Sequence, residues 1–344
     1  MKFESTRKKV PPINFSQALF EGLAKDGGLY VPEELPLFDI TSFSKEATLI
    51  DVAQEIITPF VDEPLKKEVV GICQRAFNFP IPLSVISKST SILELYHGPT
   101  GAFKDVGARF LSECILKIGN GEKRTIIVAT SGDTGGAVAG AFHGKPNIDV
   151  IILYPKGMIS DFQEKQLTCW GNKVHAYKVN GTFDDCQRLV KEALLDKKWS
   201  KKNLTSANSI NIGRILPQTI YYGWSALHYY NRNQRKPGFI IPSGNLGNSL
   251  AALWAKKMGF PIGEVILSFN ANKSVVNYFE TGKWTPQPTI TTLANAMDVG
   301  NPSNMERLFL CPTKKSKRLL KRVKKIGIEF FVLIRPRPLT CGQI

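Results

Sequence analysis

The chain has 344 residues, 43% of them apolar and 22% charged, a balance ordinary for a folded globular protein and more than one small core needs. No run approaches the roughly 18 to 20 uninterrupted apolar residues of a membrane span, and the opening MKFESTRKKV is charged where a secretory signal is apolar, so a cytoplasmic setting and no membrane partner are expected. The net charge of +16 invites a nucleic-acid reading, but ten Lys/Arg against one Glu between Lys314 and Ile344 supply +9 of it, so no nucleic-acid partner is expected for the body.

Residues 1–90 read as an N-terminal α+β segment of their own. DGGLYVP (Asp26 to Pro32) is a Gly-Gly turn into a short strand closed by proline. Apolar Ile50, Ala53, Ile56, Ile57 and Phe60 predict an amphipathic helix from Leu49 to Phe60, and a second is expected from Pro64 to Ala76. The turn-rich FNFPIPL (Phe77 to Leu83) marks a boundary. From residue 91 to 308 strand and helix alternate. Strands are expected at Ile92–Tyr96, Thr125–Thr130, Asp149–Tyr154, Lys173–Val179, Phe239–Pro242 and Glu264–Phe269. Helices are expected near Lys104–Ile118, Gly135–His143, Asp161–Trp170, Phe183–Lys197, Ile215–Asn231 and Ser249–Met258. Continuous β-branched runs such as TIIVAT and DVIILY are those of buried parallel strands, so the class is α/β with a mostly parallel sheet flanked by helices.

In such sheets ligands sit beyond the carboxyl ends of the strands. Two glycine-rich loops fall there, ATSGDTGGAVA (Ala129 to Ala139) and PSGNLGN (Pro242 to Asn248), each after a strand and before a helix. Small residues let backbone N–H groups reach an anion at a helix start, and Ser131, Asp133 and Thr134 add side-chain groups. Neither loop carries G-x-x-x-x-G-K-[ST] or G-x-G-x-x-G, which removes support for ATP or a dinucleotide. SANSINIGR (Ser206 to Arg214) offers hydroxyls, amides and one guanidinium for a phosphate or carboxylate, although Ser and Asn also crowd helix starts as caps. Lys104, in LELYHGPTGAFKDVGARF, stands where a helix begins. Orphan N–H groups there disfavour an ammonium and favour the neutral amine that a carbonyl-trapping lysine needs. The six cysteines have no C-x-x-C pair and no short spacing to histidine, so they read as reduced thiols with no metal site.

HGPTGAFKD, ATSGDTGGAVA, SANSIN and PSGNLGN, in this order, with DGGLYVP before and NAMDVGNPSN (Asn295 to Asn304) after, closely resemble threonine synthase. The resemblance covers about residues 5 to 307. It implies the tryptophan synthase beta-like fold type II of pyridoxal-phosphate enzymes, with pyridoxal 5'-phosphate as cofactor. It implies that Lys104 forms the Schiff base with the cofactor and that Gly244, Asn245, Leu246, Gly247 and Asn248 hold its phosphate. Ser131, Asp133 and Thr134 would face the substrate, with Asn208, Ser209 and Arg214 as candidates for the substrate's phosphate. The implied reaction is β,γ-replacement on O-phospho-L-homoserine, giving L-threonine and phosphate, with Lys104 moving protons at Cα and Cβ.

The alternatives are another type II dehydratase or phospho-lyase releasing a 2-oxo acid, and a non-enzymatic module using the basic tail. DGGLYVP favours the synthase, because simple dehydratases lack that segment. Gly101 replaces a larger apolar residue usual before Ala-Phe-Lys, and Leu246 and Asn248 stand where Phe and Asp are common. After NAMDVGNPSNMERL the family continues for roughly another hundred residues, including a Ser/Thr-bearing segment for the cofactor's pyridine nitrogen. Residues 309–344 match nothing in it, which suggests an altered reading frame or an early stop, with a genuine lineage-specific tail as the alternative, and the former predicts a weakly active or poorly folded product.

Overall fold

The computed structural model describes residues 1–310, 325–326 and 329–334. The N-terminal segment pairs β1 (Phe3–Ser5) antiparallel with β2 (Tyr30–Pro32), the strand of DGGLYVP, and carries α1 (Phe15–Glu21). α2 (Leu49–Ile57) starts on a reciprocal cap in which Thr48 and Asp51 bond each other's backbone N–H, and buries Val52, Ala53, Ile56 and Ile57 on one face. The helix expected from Pro64 is shorter: α3 spans Val69–Ala76, behind a single tight turn at Lys66–Glu68. Phe3, Phe15, Leu19 and Phe60 belong to the same buried cluster as Phe110, Leu111 and Tyr221, so the N-terminal segment is packed onto the body by apolar burial.

The expected strand at Ile92–Tyr96 is corrected by its partner. β3 (Leu83–Ser87) and β4 (Thr90–Leu93) form an antiparallel hairpin apart from the main sheets. α4 (Lys104–Ile118) then lies where the sequence put it. β5 (Arg124–Ala129), α5 (Asp133–Phe142), β6 (Ile148–Pro155), α6 (Asp161–Thr168), β7 (Val174–Val179) and α7 (Phe183–Leu195) follow in alternation. A three-residue strand the sequence did not announce, β8 (Leu204–Ser206), returns to the far side of β5, giving an all-parallel order β7-β6-β5-β8. Every residue of β5 is buried, as a strand with neighbours on both sides requires.

The helix expected over Ile215–Asn231 is two: α8 (Ile212–Ile215) and α9 (Gln218–Asn233), divided at Pro217, whose ring cannot continue a helix. β9 (Phe239–Pro242), α10 (Gly247–Lys257) and β10 (Val265–Phe269) form a second parallel unit, followed by α11 (Ser274–Thr281) and α12 (Met305–Leu310). Of the tail, β11 (Lys325–Ile326) and β12 (Glu329–Ile334) complete the order β11-β12-β10-β9, with β12 antiparallel to β10. Other expectations about residues 311–344 lie outside the described residues. Among those described, no helix is long and apolar enough to cross a membrane.

Candidate active site

The order of strand addition reverses about β5: β6 lies on one side and β8 on the other. The crevice beyond their carboxyl ends is the switch point where α/β sheets take ligands. The turn after β5 is built on Thr130. Its Oγ1 accepts from Gly132 N and Gly135 N, each at 2.9 Å, and donates to Gly132 O at 2.8 Å. Gly132 has φ +134°, open only to glycine. This turn puts Ser131 and Thr134 on the cleft wall. Across β5, Asn208 donates Nδ2 to Ala129 O at 2.6 Å and accepts from Ala129 N at 2.8 Å, so its amide joins the two loops as a ladder would.

Lys104 is the first residue of α4, behind a turn wound round the next side chain: Asp105 accepts from Thr100 N (2.9 Å) and Thr100 Oγ1 (2.8 Å). Gly98 permits this, since a Cβ there would lie 2.5 Å from Asp105 Oδ2. The Lys104 side chain is 12% exposed, and Nζ stands 2.9 Å from Asp133 Oδ2. The sequence placed the amine where only helix N–H groups surround it; the structure gives it a carboxylate, so its charged form has a partner. Burial works to raise the Asp133 pKa, but the charge and hydrogen bond of Lys104 and a hydrogen bond from Gln163 outweigh it, and the pKa falls below 3.8.

PSGNLGN forms the third wall. Leu246, at φ +63°, turns the chain into α10, whose N-terminus has no side-chain cap. Residues 244–248 line the cleft. Their side chains fasten the loop from outside. Asn245 Oδ1 accepts from Ser303 N at 2.6 Å, Asn245 Nδ2 donates to Ser209 Oγ at 3.2 Å, and Asn248 Oδ1 accepts from the hydroxyls of Tyr221 (2.5 Å) and Tyr222 (2.8 Å).

One cleft of about 660 Å³, part of it continuous with solvent, is thus lined by Lys104, Ser131, Thr134, Asn208, Ser209, Arg214 and residues 244–248. Asp133 is the one candidate behind the lining, at the lysine. Ser209 Oγ accepts from Asn245 Nδ2 and from Asn304 Nδ2 (3.0 Å), which leaves its hydrogen for another acceptor. Arg214 is buried, donating to Ala207 O and, at 3.4 Å, to Lys104 O, while its Nε has no partner among the described residues. Burial lowers its pKa to about 10, partly offset by Asp105. The stretch containing Ala296, Met297 and Val299, within the NAMDVGNPSN motif for which the sequence names no role, closes the cleft. Two participants escaped the sequence reading. Gln163 bonds Asp133. Arg307 is buried with donors to Tyr30 O, Ser209 O and Ile210 O.

A family model described as pyridoxal-phosphate dependent enzyme matches residues 92–318, and one described as threonine synthase N terminus matches residues 2–77. A threonine synthase of Buchnera aphidicola subsp. Acyrthosiphon pisum is 44% identical over 315 residues, 90% of this chain and 73% of that one. The chain belongs to the threonine synthase family.

The crystal structure of threonine synthase from Escherichia coli superposes with a TM-score of 0.86 at 38% identity, covering 90% of this chain and 73% of that one. The threonine synthase from Brucella melitensis, a structure with pyridoxal phosphate bound, gives 0.80 at 38% identity, covering 90% and 69%. The fold is therefore that of the type II pyridoxal-phosphate enzymes. The threonine synthase cleft suits this cofactor on its own geometry: an uncapped helix start for a phosphate and a lysine amine in the same cleft for an aldehyde. The cradle leaves little room for side chains: a Cβ on Gly247 would lie 2.7 Å from Ile215 Cδ1 and one on Gly244 would lie 3.0 Å from Met297 Cα.

Proposed function

We propose that this threonine synthase acts on O-phospho-L-homoserine, replacing its phosphate and adding water to give L-threonine, and that the roles within the cleft divide as follows. Lys104 Nζ would hold the cofactor through its aldehyde, and residues 244–248 at the α10 N-terminus would hold its phosphate. When bound, pyridoxal 5'-phosphate supplies a conjugated ring that takes up electron density from the substrate carbons. Lys104 is the base that takes the proton from Cα and then serves Cβ. The observation that carries this is Lys104 Nζ held at 2.9 Å from Asp133 Oδ2, in the same cleft as an uncapped helix start. Lys104 serves as base in its neutral form, and once it carries the Cα proton Asp133 would hold the resulting ammonium close to the reacting carbons and keep it from swinging into solvent.

The second phosphate, that of the substrate, finds a separate set of groups. Arg214 brings a buried positive charge to the wall, and Ser209 keeps a hydroxyl hydrogen to donate. Ser131 and Thr134 offer hydroxyls to the substrate's carboxylate. The test is product analysis: O-phospho-L-homoserine with holoenzyme should yield threonine and phosphate in equal amounts. A 2-oxo acid as the main product would move the chain to the lyases, and no phosphate release would remove the substrate.

A further inference from the structure

Gln163, the third residue of α6, ties the loop after β5 to the stretch at Asn295 and uses its whole amide to do so. It is buried. Nε2 donates to Asp133 Oδ1 at 3.0 Å and to Asn295 Oδ1 at 3.3 Å. Oε1 accepts from Asn295 Nδ2 at 2.9 Å and from Ser160 N at 3.2 Å. Because Asp133 Oδ2 receives Lys104 Nζ, each oxygen of that carboxylate has its own donor and its plane is fixed. The backbone is shaped for the amide: a Cβ on Gly132 would lie 2.3 Å from Gln163 Nε2. Asn295 opens the turn whose Met297 backbone sits on Gly244 of the phosphate cradle. One residue on, Asp298 Oδ1 accepts from Asn270 Nδ2 (2.8 Å) and Asn272 Nδ2 (3.2 Å), which ties the same strap to the loop after β10.

We infer that Gln163 is a positioning residue, which sets Asp133 against Lys104 and latches residues 295–299 over the cradle. The inference rests on the role proposed above for Lys104. A plainer role exists, because Gln163 also completes the helix cap with Ser160. Glutamate serves such a cap as well as glutamine does. Ionised glutamate, however, cannot donate to Asp133 and would set a second carboxylate against it, so the comparison is made well above the carboxylate range. Gln163→Glu therefore separates the two roles: it keeps the cap and removes the positioning.

The experiment mixes cofactor-free protein with pyridoxal 5'-phosphate, quenches with borohydride at intervals and measures the reduced adduct on the Lys104 peptide by mass spectrometry. Amide hydrogen exchange over residues 293–300, the melting temperature and the kcat and KM for O-phospho-L-homoserine are measured beside it. Gln163→Glu should melt somewhat below wild type, keep the amides of α6 as protected as in wild type because the cap remains, label Lys104 about tenfold more slowly, exchange the strap amides about tenfold faster, and lose kcat more than KM. Asn295→Ala, which leaves the cap untouched, should reproduce the faster strap exchange. Wild-type labelling and strap exchange in both variants would overturn the inference and leave Gln163 a helix cap. An adduct that persists undiminished in Lys104→Ala would overturn the reading of Lys104 instead.

Discussion

Arg307→Met removes a buried guanidinium and keeps an apolar side chain of similar length. The guanidinium is 1% exposed and, among the described residues, has no carboxylate within hydrogen-bonding distance. It donates to Tyr30 O from Nε (3.0 Å) and Nη2 (2.9 Å), to Ile210 O (2.7 Å), to Ser209 O (2.8 Å) and to Asn304 Oδ1 (2.7 Å). Burial pulls its pKa down to about 9, with Glu306 opposing. Five charged hydrogen bonds at about 1.5–3 kcal/mol each would sum to as much as a whole domain's stability. Desolvating the guanidinium costs several kcal/mol and offsets much of that. What remains after substitution is a set of buried oxygens without their donor, for a net loss of about 3–5 kcal/mol. Because those oxygens belong to the N-terminal segment, to the Ser209 loop and to Asn304 behind the cradle, cofactor affinity should fall with stability. Urea unfolding of both proteins gives the first number and titration of cofactor-free protein the second. A loss below about 1 kcal/mol would refute the reasoning that this one side chain bolts the segment to the site.

Asn208→Ala leaves Ala129 N–H and C=O without a side-chain partner and should cost about 2–4 kcal/mol, read from the urea midpoint. Gly247→Ala forces a methyl to within 2.7 Å of Ile215 Cδ1 and should weaken pyridoxal 5'-phosphate binding at least about tenfold in equilibrium titration, with a smaller effect on melting. The Asp133 pKa lies below 3.8 in the folded protein, so its contribution to stability is complete above 3.8 and is lost as pH falls through the folded value. Asp133→Asn should therefore lower stability at neutral pH and flatten the stability profile below pH 3.8, as followed by acid titration of ellipticity.

The elements that the sequence announced are those whose signal is local. α4 begins and ends at the residues its motif suggests, and β9 at those its apolar run suggests, because a helix start and a buried strand each carry their pattern within one segment. β4 differs for the opposite reason: a short apolar run reads alike in a hairpin and in a parallel sheet, and only β3 decides between them. β8, at three residues, has no run to read; its strand character comes from β5 alone. The site follows the same division. Lys104 and both glycine loops were legible because their chemistry sits in consecutive residues, and the fold brings them to one cleft. Gln163 lies 30 residues from Asp133 and 132 from Asn295, and Arg307 lies 277 from Tyr30, so nothing near either in the chain foretells its partners. Arg214 was legible as a guanidinium before a helix, but its donors to Ala207 and Lys104 were not.

The most direct test of the account is the position of the borohydride-reduced adduct in wild-type protein loaded with pyridoxal 5'-phosphate. Peptide mapping should find one stoichiometric pyridoxyl group, on Lys104, and lose it in Lys104→Ala. A stoichiometric adduct on any other lysine would contradict the account.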